Sequence, residues 1–247
     1  GIEFVEQALD YFDFSYVVSD RERENIPATG KVVIVANHPI GSLDGLALLK
    51  LVHDVRSDVK VVANDLLMSI GPLSNCLLPV KNMTGGSGRE HIHKINSALD
   101  NGSAVIMFPA GEVSRLGPNG IRDGKWLPGF LKIAGRSKSP ILPIHVSGRN
   151  SMPFYLTTIV AKPISTVMLV GEMFRQRRKE IKLTIGEMIS FDTYSKLAIQ
   201  PKEKSKLFKK HLYRLGAGKK SLFVTETSIA RPERKTELKK AMQDGEK

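Results

Sequence analysis

The sequence predicts an α/β fold: a single domain with a central, mostly parallel or mixed sheet flanked by helices. Three observations predict it. Two β-branched apolar runs, Val32 to Ala36 and Ala104 to Phe108, break off into Pro- and Gly-containing turns, as buried strands do. A third apolar segment, Pro140 to Val146, ends the same way at Ser147-Gly148-Arg149-Asn150. Segments with helical spacing lie between these strands, and that alternation is the mark of an α/β sheet.

Taken in order, residues 2–18 place Ile2, Val5, Leu9 and Phe12 on one helical stripe, with acids over much of the rest. This reads as a helix packed on the core, since helices that dip into a membrane usually have a basic polar face. Asp20 to Gly30 is charged and turn-rich, a connector. Strand 32–36 follows, then a helix from Leu43 to Val52, a strand from Val59 to Ala63 and a short strand from Leu77 to Val80. Gly85-Gly86-Ser87-Gly88-Arg89 opens a helix over Glu90 to Leu99; without the Lys-Ser/Thr ending of a phosphate loop it reads as a mobile loop. Leu116 to Gly129, rich in Gly, Pro and charge, reads as a flap or rim. A helix begins at Phe130, and Lys182 to Ile185 is the last strand. The domain plan is therefore residues 1–30 as an N-terminal helix and connector, 31–190 as the core, and 191–247 as a basic helical tail.

Composition bounds the function. At 247 residues the chain is long enough for one substantial core. Its net charge of +12 implies an anionic partner: a membrane surface, nucleic acid or an acidic carrier protein. Nucleic acid is disfavoured because no recognised binding module accompanies the charge. The single cysteine, Cys76, excludes an internal disulfide and suits a reducing compartment. No apolar run approaches the about 18 to 20 residues that span a bilayer, and no secretory signal is visible. The chain opens on Gly1, so it reads as trimmed. From Pro201 to Lys220, eight Lys and Arg residues face the single acid Glu203, while Leu207, Phe208, His211, Leu212 and Leu215 share one helical face. Two readings stand for this segment: an amphipathic helix for anionic lipid, or a charged helix packed by its stripe.

Chemistry concentrates at strand ends, where α/β proteins place it. Strand 32–36 runs into Asn37-His38-Pro39, then Gly41, and Asp44 closes the turn. A folded-back Asp44 would hold one imidazole nitrogen of His38 and leave the other as a general base. The plainer alternative is a strand-to-helix loop with Asp44 at a helix N-terminus. Strand 104–108 runs into Pro109, Gly111, Glu112, Ser114 and Arg115, so both turns can share one crevice. No metal is implied: the histidines are scattered, and His91 and His93 do not share a helix face.

NHPIGSLDG and FPAGEVSR resemble the first and third motifs of the PlsC-type glycerolipid (lysophospholipid) acyltransferases, which carry Asn-His-x4-Asp and Phe-Pro-Glu-Gly-Thr-Arg. Ile141-Leu142-Pro143-Ile144 is similar to the fourth motif, and Leu78 to Asn82 falls where the second belongs. Five residues rather than four separate His38 from Asp44, Ala110 stands in place of Glu, and Asn82 in place of Arg. These departures, with GIRDGKWLPGF and Arg149-Asn150-Ser151, resemble a bacterial branch that makes ornithine lipids or related aminolipids and carries the older name hemolysins.

The resemblance implies an O-acyltransferase that moves a fatty acyl group from acyl carrier protein or acyl-CoA to a lyso-lipid hydroxyl, with lyso-ornithine lipid as favoured acceptor and no bound cofactor. His38 is the implied general base and Asp44 its orienting partner. Asn37, Gly41, Gly111, Glu112, Ser114, Arg115, Arg149 and Asn150 are the implied substrate-binding residues, with oxyanion donors expected in the Gly41 or Gly111 turns. A lyso-ornithine lipid offers an ammonium and a carboxylate, which suits Glu112 and Arg115 respectively. The remaining readings are a lysophosphatidic acid acyltransferase and a non-catalytic membrane-binding module. Peripheral attachment at the cytoplasmic face of the inner membrane is implied, and in many members of the branch a GNAT-like N-acyltransferase domain follows.

Overall fold

Strand β2 (Val32–Ala36) is buried along its whole length and forms the axis of the molecule. Its residues alternate between two cores: Val32, Ile34 and Ala36 enter one, Val33 and Val35 the other. The computed structural model describes residues 1–64, 67, 70–80, 88–118, 120–160, 162–219 and 223. Asn82, the Gly85-Gly86-Ser87 loop and the stretch from Ser228 to Lys247 lie outside the described residues.

Around β2 stand β1 (Ser15–Val17), β3 (Val59–Asn64), β4 (Leu77–Val80), β5 (Ala104–Met107), β8 (Ile141–Ser147) and β9 (Glu180–Ile185), while β6 (Arg115–Gly117) and β7 (Gly120–Arg122) form a separate hairpin. The main sheet has seven strands in the order β1-β9-β8-β2-β5-β3-β4. Every neighbouring pair is parallel except β8 with β9. The predicted mostly parallel, helix-flanked sheet is therefore present. Its order puts β8, β2 and β5 side by side, so the three polar strand termini read from the sequence emerge at one edge.

Helices α1 (Ile2–Tyr11), α2 (Asp20–Arg23), α3 (Ser42–His53), α4 (Gly88–Asp100), α5 (Gly129–Arg136), α6 (Met152–Val160), α7 (Lys162–Arg175), α8 (Phe191–Ser195) and α9 (Pro201–Gly216) surround the sheet. The first core joins β2 to Val5 and Leu9 of α1 and Leu43, Ala47, Leu48 and Leu51 of α3. The second joins its opposite face to Ile95, Phe130, Phe208 and Leu212.

Three expectations need correction. The first helix stops at Tyr11 rather than running to residue 18, because Asp13 turns left-handed (φ 45°) and the Phe14 N–H closes on the Leu9 carbonyl. The freed chain supplies edge strand β1. The flap of residues 116–129 contains the β6–β7 hairpin, and the helices α6 and α7 were not foreseen.

The tail's two readings are resolved by packing. Phe208 and Leu212 of α9 are 1% and 0% exposed, and each such side chain stabilises the packed helix by about 1.5–3 kcal/mol. The apolar stripe is thus already used, so α9 is a charged helix seated on the core. Beneath its end, the His145 ring approaches Gly216 so closely that a Cβ there would fall 2.4 Å from the ring. Burial, with a smaller contribution from Arg122, pushes the His145 pKa down from 6.5 to about 4. A lowered histidine pKa means the unfolded chain binds the proton first. Stability is therefore full above pH 6.5 and falls as pH drops towards about 4, by at most about 1.4 kcal/mol per pH unit from this group. Urea midpoints measured across that window should slope downward with acid, and His145→Gln should flatten the slope.

Candidate active site

The turn after β2 is built around one carboxylate. Gly41 adopts φ 113°, a conformation that suits glycine, and starts α3. The N–H groups of Ile40 and Gly41 donate to Asp44 Oδ2 at 2.9 and 3.1 Å. The same Oδ2 lies 3.2 Å from His38 Nδ1, off the axis of a straight hydrogen bond. Both readings of Asp44 are therefore true at once: it caps the helix entry and holds His38. Asp44 is fully buried, and burial pushes its carboxyl pKa up, while His38 and the two N–H groups pull it back down. The His38 ring stacks on Phe108 with centroids 4.2 Å apart, and its side chain keeps 20% exposure. The ring is thus pinned on one nitrogen side and reachable on the other.

Asn37, 2% exposed, uses both ends of its amide on Val146: Nδ2 donates to the carbonyl at 2.8 Å and Oδ1 accepts from the N–H at 2.7 Å. It locks β2 to β8 at the point where the sheet ladder ends. Asn150 does similar work from β8, donating to the Pro39 and Ile40 carbonyls at 3.4 Å and accepting from Gln176 at 3.2 Å. Arg149 is exposed beside it and lends its carbonyl to Gln176. The structure thus groups Asn37, Asn150 and Gln176 as supports of the turn, with their side chains occupied by protein.

The expected oxyanion donors are also committed. Gly41 N–H serves Asp44, and Gly111 N–H closes a turn on the Phe108 carbonyl at 3.0 Å. Glu112 and Arg115 meet each other: Arg115 Nε and Nη2 both lie 3.0 Å from Glu112 Oε2. The pair is partly exposed on the same edge as His38, so an incoming zwitterion would have to exchange with it.

Sequence reasoning missed the residue that ties these turns together. Asp123, 4% exposed, accepts at Oδ1 from the His38 N–H (3.1 Å) and from Ser114 Oγ (2.6 Å), and at Oδ2 from Trp126 Nε1 (2.8 Å). Ser114 in turn donates its N–H to the His38 carbonyl at 2.7 Å. Tyr213 and Lys209 of α9 hold the Asp123 backbone, the N–H through Tyr213 Oη at 2.7 Å and the carbonyl through Lys209 Nζ at 2.5 Å. Ser114 thus belongs to this network. An acidic residue three positions before the only Trp was the available signal.

A buried carboxylate lies against a partly exposed histidine at the edge of a mostly parallel sheet, an arrangement that suits general-base group transfer. Residues 2–222 match the family described as Acyltransferase, and the chain belongs to that family. It is 32% identical over 203 residues to the lyso-glycine lipid O-acyltransferase of Phocaeicola vulgatus, covering 79% of this chain and 72% of the relative. The Bacteroides thetaiotaomicron protein of the same name is 33% identical, with 79% and 74% covered. In fold, the chain is similar to the crystal structure of PlsC, the 1-acyl-sn-glycerophosphate acyltransferase of Thermotoga maritima. That likeness has a TM-score of 0.56 at 21% identity and covers 87% of this chain and 78% of the other.

Proposed function

We propose that this acyltransferase moves a fatty acyl group from a thioester, carried by acyl carrier protein or CoA, to the hydroxyl of a lyso-lipid. The carrying observation is the His38–Asp44 contact at 3.2 Å with one ring nitrogen left to the solvent side. His38 takes the hydroxyl proton as the oxygen attacks the thioester carbonyl, the tetrahedral intermediate collapses, and the carrier leaves as its thiol. Asp44 fixes the ring and stabilises the charged imidazolium.

The acceptor is a lyso-lipid with an amino-acid head group. Two relatives named for a lyso-glycine lipid support that class, and a glycine head group brings a carboxylate for Arg115. An ornithine head group adds an ammonium, and Glu112 beside Arg115 is the reason to favour it. Contact with a membrane is peripheral, at the cytoplasmic face. No described helix is long and apolar enough to cross a bilayer, but Met152 and Leu156 of α6 and Val170 and Phe174 of α7, one turn apart in each helix, are all more than half exposed.

The test is acyl transfer to lyso-ornithine lipid, lyso-glycine lipid and lysophosphatidic acid side by side, with Glu112→Gln. Turnover should be highest on the ornithine acceptor, and the variant should raise its KM about tenfold while sparing the glycine acceptor. A wild-type preference for lyso-glycine lipid would remove the role of Glu112. Preference for lysophosphatidic acid would sink the amino-acid head group altogether.

A further inference from the structure

Near the His38 turn, α9, the residues just after it and β7 border an open cleft of about 400 Å³ lined by Arg122, Lys206, Lys209, Lys210, Arg214 and Lys219. No carboxylate lines it among the described residues. Lys206, Lys209, Lys210 and Tyr213 recur at three- and four-residue spacing, so they share one helix face, where like charges repel. Lys206 is matched by Glu203 at 2.7 Å. Lys209 instead donates to two neutral carbonyls, those of Asp123 and Gly124, at 2.5 and 2.6 Å. Burial lowers its pKa, Asp123 opposes this, and Arg122 lowers it further. The Arg122 guanidinium rests over the Tyr213 ring, 4.9 Å from its centroid, and a guanidinium is a planar fork suited to oxyanions. The opposite face of α9 is packed on the core, so this charge does not belong to a helix lying in a membrane surface. A concave site of this size with cations on its walls suits phosphate esters rather than a flat anionic surface.

The cleft is linked to the His38 turn through Asp123, which does not itself line it. Lys209 and Tyr213 hold the Asp123 backbone, and the Asp123 carboxylate holds the His38 N–H. Coenzyme A and acyl carrier protein both carry the acyl thioester on a pantetheine arm whose far end is a phosphate ester. Resting on the acyl-thioester reading above, we propose that this cleft binds the phosphate end of the acyl donor.

The test pairs the unaltered protein with Lys210→Gln/Arg214→Gln, a double change at two exposed positions, checked first for an unaltered melting temperature. Affinities for CoA and for holo acyl carrier protein are measured by calorimetry, without any turnover. The double variant should weaken binding of the preferred carrier about tenfold or more. In turnover, the KM advantage of the carrier-bound acyl donor over the phosphate-free acyl-N-acetylcysteamine thioester should shrink by a similar factor. Equal affinity for both carriers in the two proteins overturns the proposal, as does failure of the unaltered protein to bind either. Loss confined to phosphatidylglycerol vesicles overturns it in favour of a lipid head group. Carrier binding that depends on the cleft, with no thioester turnover at all, supports the cleft and sinks the acyl-transfer reading instead.

Discussion

His38→Ala is expected to lower kcat by about 10²- to 10⁴-fold, the usual contribution of a positioned general base, with donor and acceptor KM within a few-fold of their original values. The ring is one fifth exposed and packs mainly on Phe108, so its removal opens no sealed cavity and the fold should survive. Circular dichroism and the melting temperature check that point. The histidine is a sharper probe than Asp44 because the Asp44 carboxylate also anchors the Ile40 and Gly41 N–H groups. An Asp44→Asn variant would mix lost orientation of the ring with a loosened helix entry. Single-turnover kinetics with saturating thioester isolate the chemical step. A folded His38→Ala protein that keeps more than a tenth of the wild-type rate would remove His38 from the reaction.

The sheet was legible because its central strands are short, apolar and buried on both faces, which makes them continuous apolar runs that end abruptly in turns. The three turns that meet at the edge of β8, β2 and β5 were legible for the same reason. What the sequence hid depends on contacts between distant segments. β1 is three residues long and forms only because Ser15–Val17 pairs with Glu180–Lys182. The resemblance implied Asn37 as a substrate-binding residue; only the backbone of Val146, more than a hundred positions on, shows that its amide braces two strands. Gly41 and Gly111 offered backbone N–H groups on paper, and local turn closure consumed both. Glu112 and Arg115 were read as separate ligands for opposite charges; three residues apart, they satisfy each other until something displaces them.

Asp123 carries the other large expectation. Asp123→Ala leaves three donors without an acceptor: the His38 N–H, the Ser114 hydroxyl and the Trp126 indole N–H. An unsatisfied buried donor costs about 1–3 kcal/mol, so a loss of about 3–6 kcal/mol is expected once some water relaxation is allowed. That is a large share of a typical domain's stability, and the alanine variant is informative only through its urea midpoint. Asp123→Asn is the discriminating change. Its carbonyl can still accept from His38 and Ser114, but its NH₂ group then faces the Trp126 N–H, donor against donor. Stability should fall by about 1–3 kcal/mol, leaving the protein folded at 25 °C. If the carboxylate only holds the fold together, the folded fraction will turn over normally. If it sets the position of His38, kcat will fall by roughly 10- to 100-fold in fully folded protein, because a displacement near 1 Å is enough for such a loss, while acceptor KM stays close to wild type. The second outcome is expected, since the same oxygen that Ser114 bonds at 2.6 Å also receives the His38 backbone N–H. Tilting that carboxylate moves the turn that carries His38.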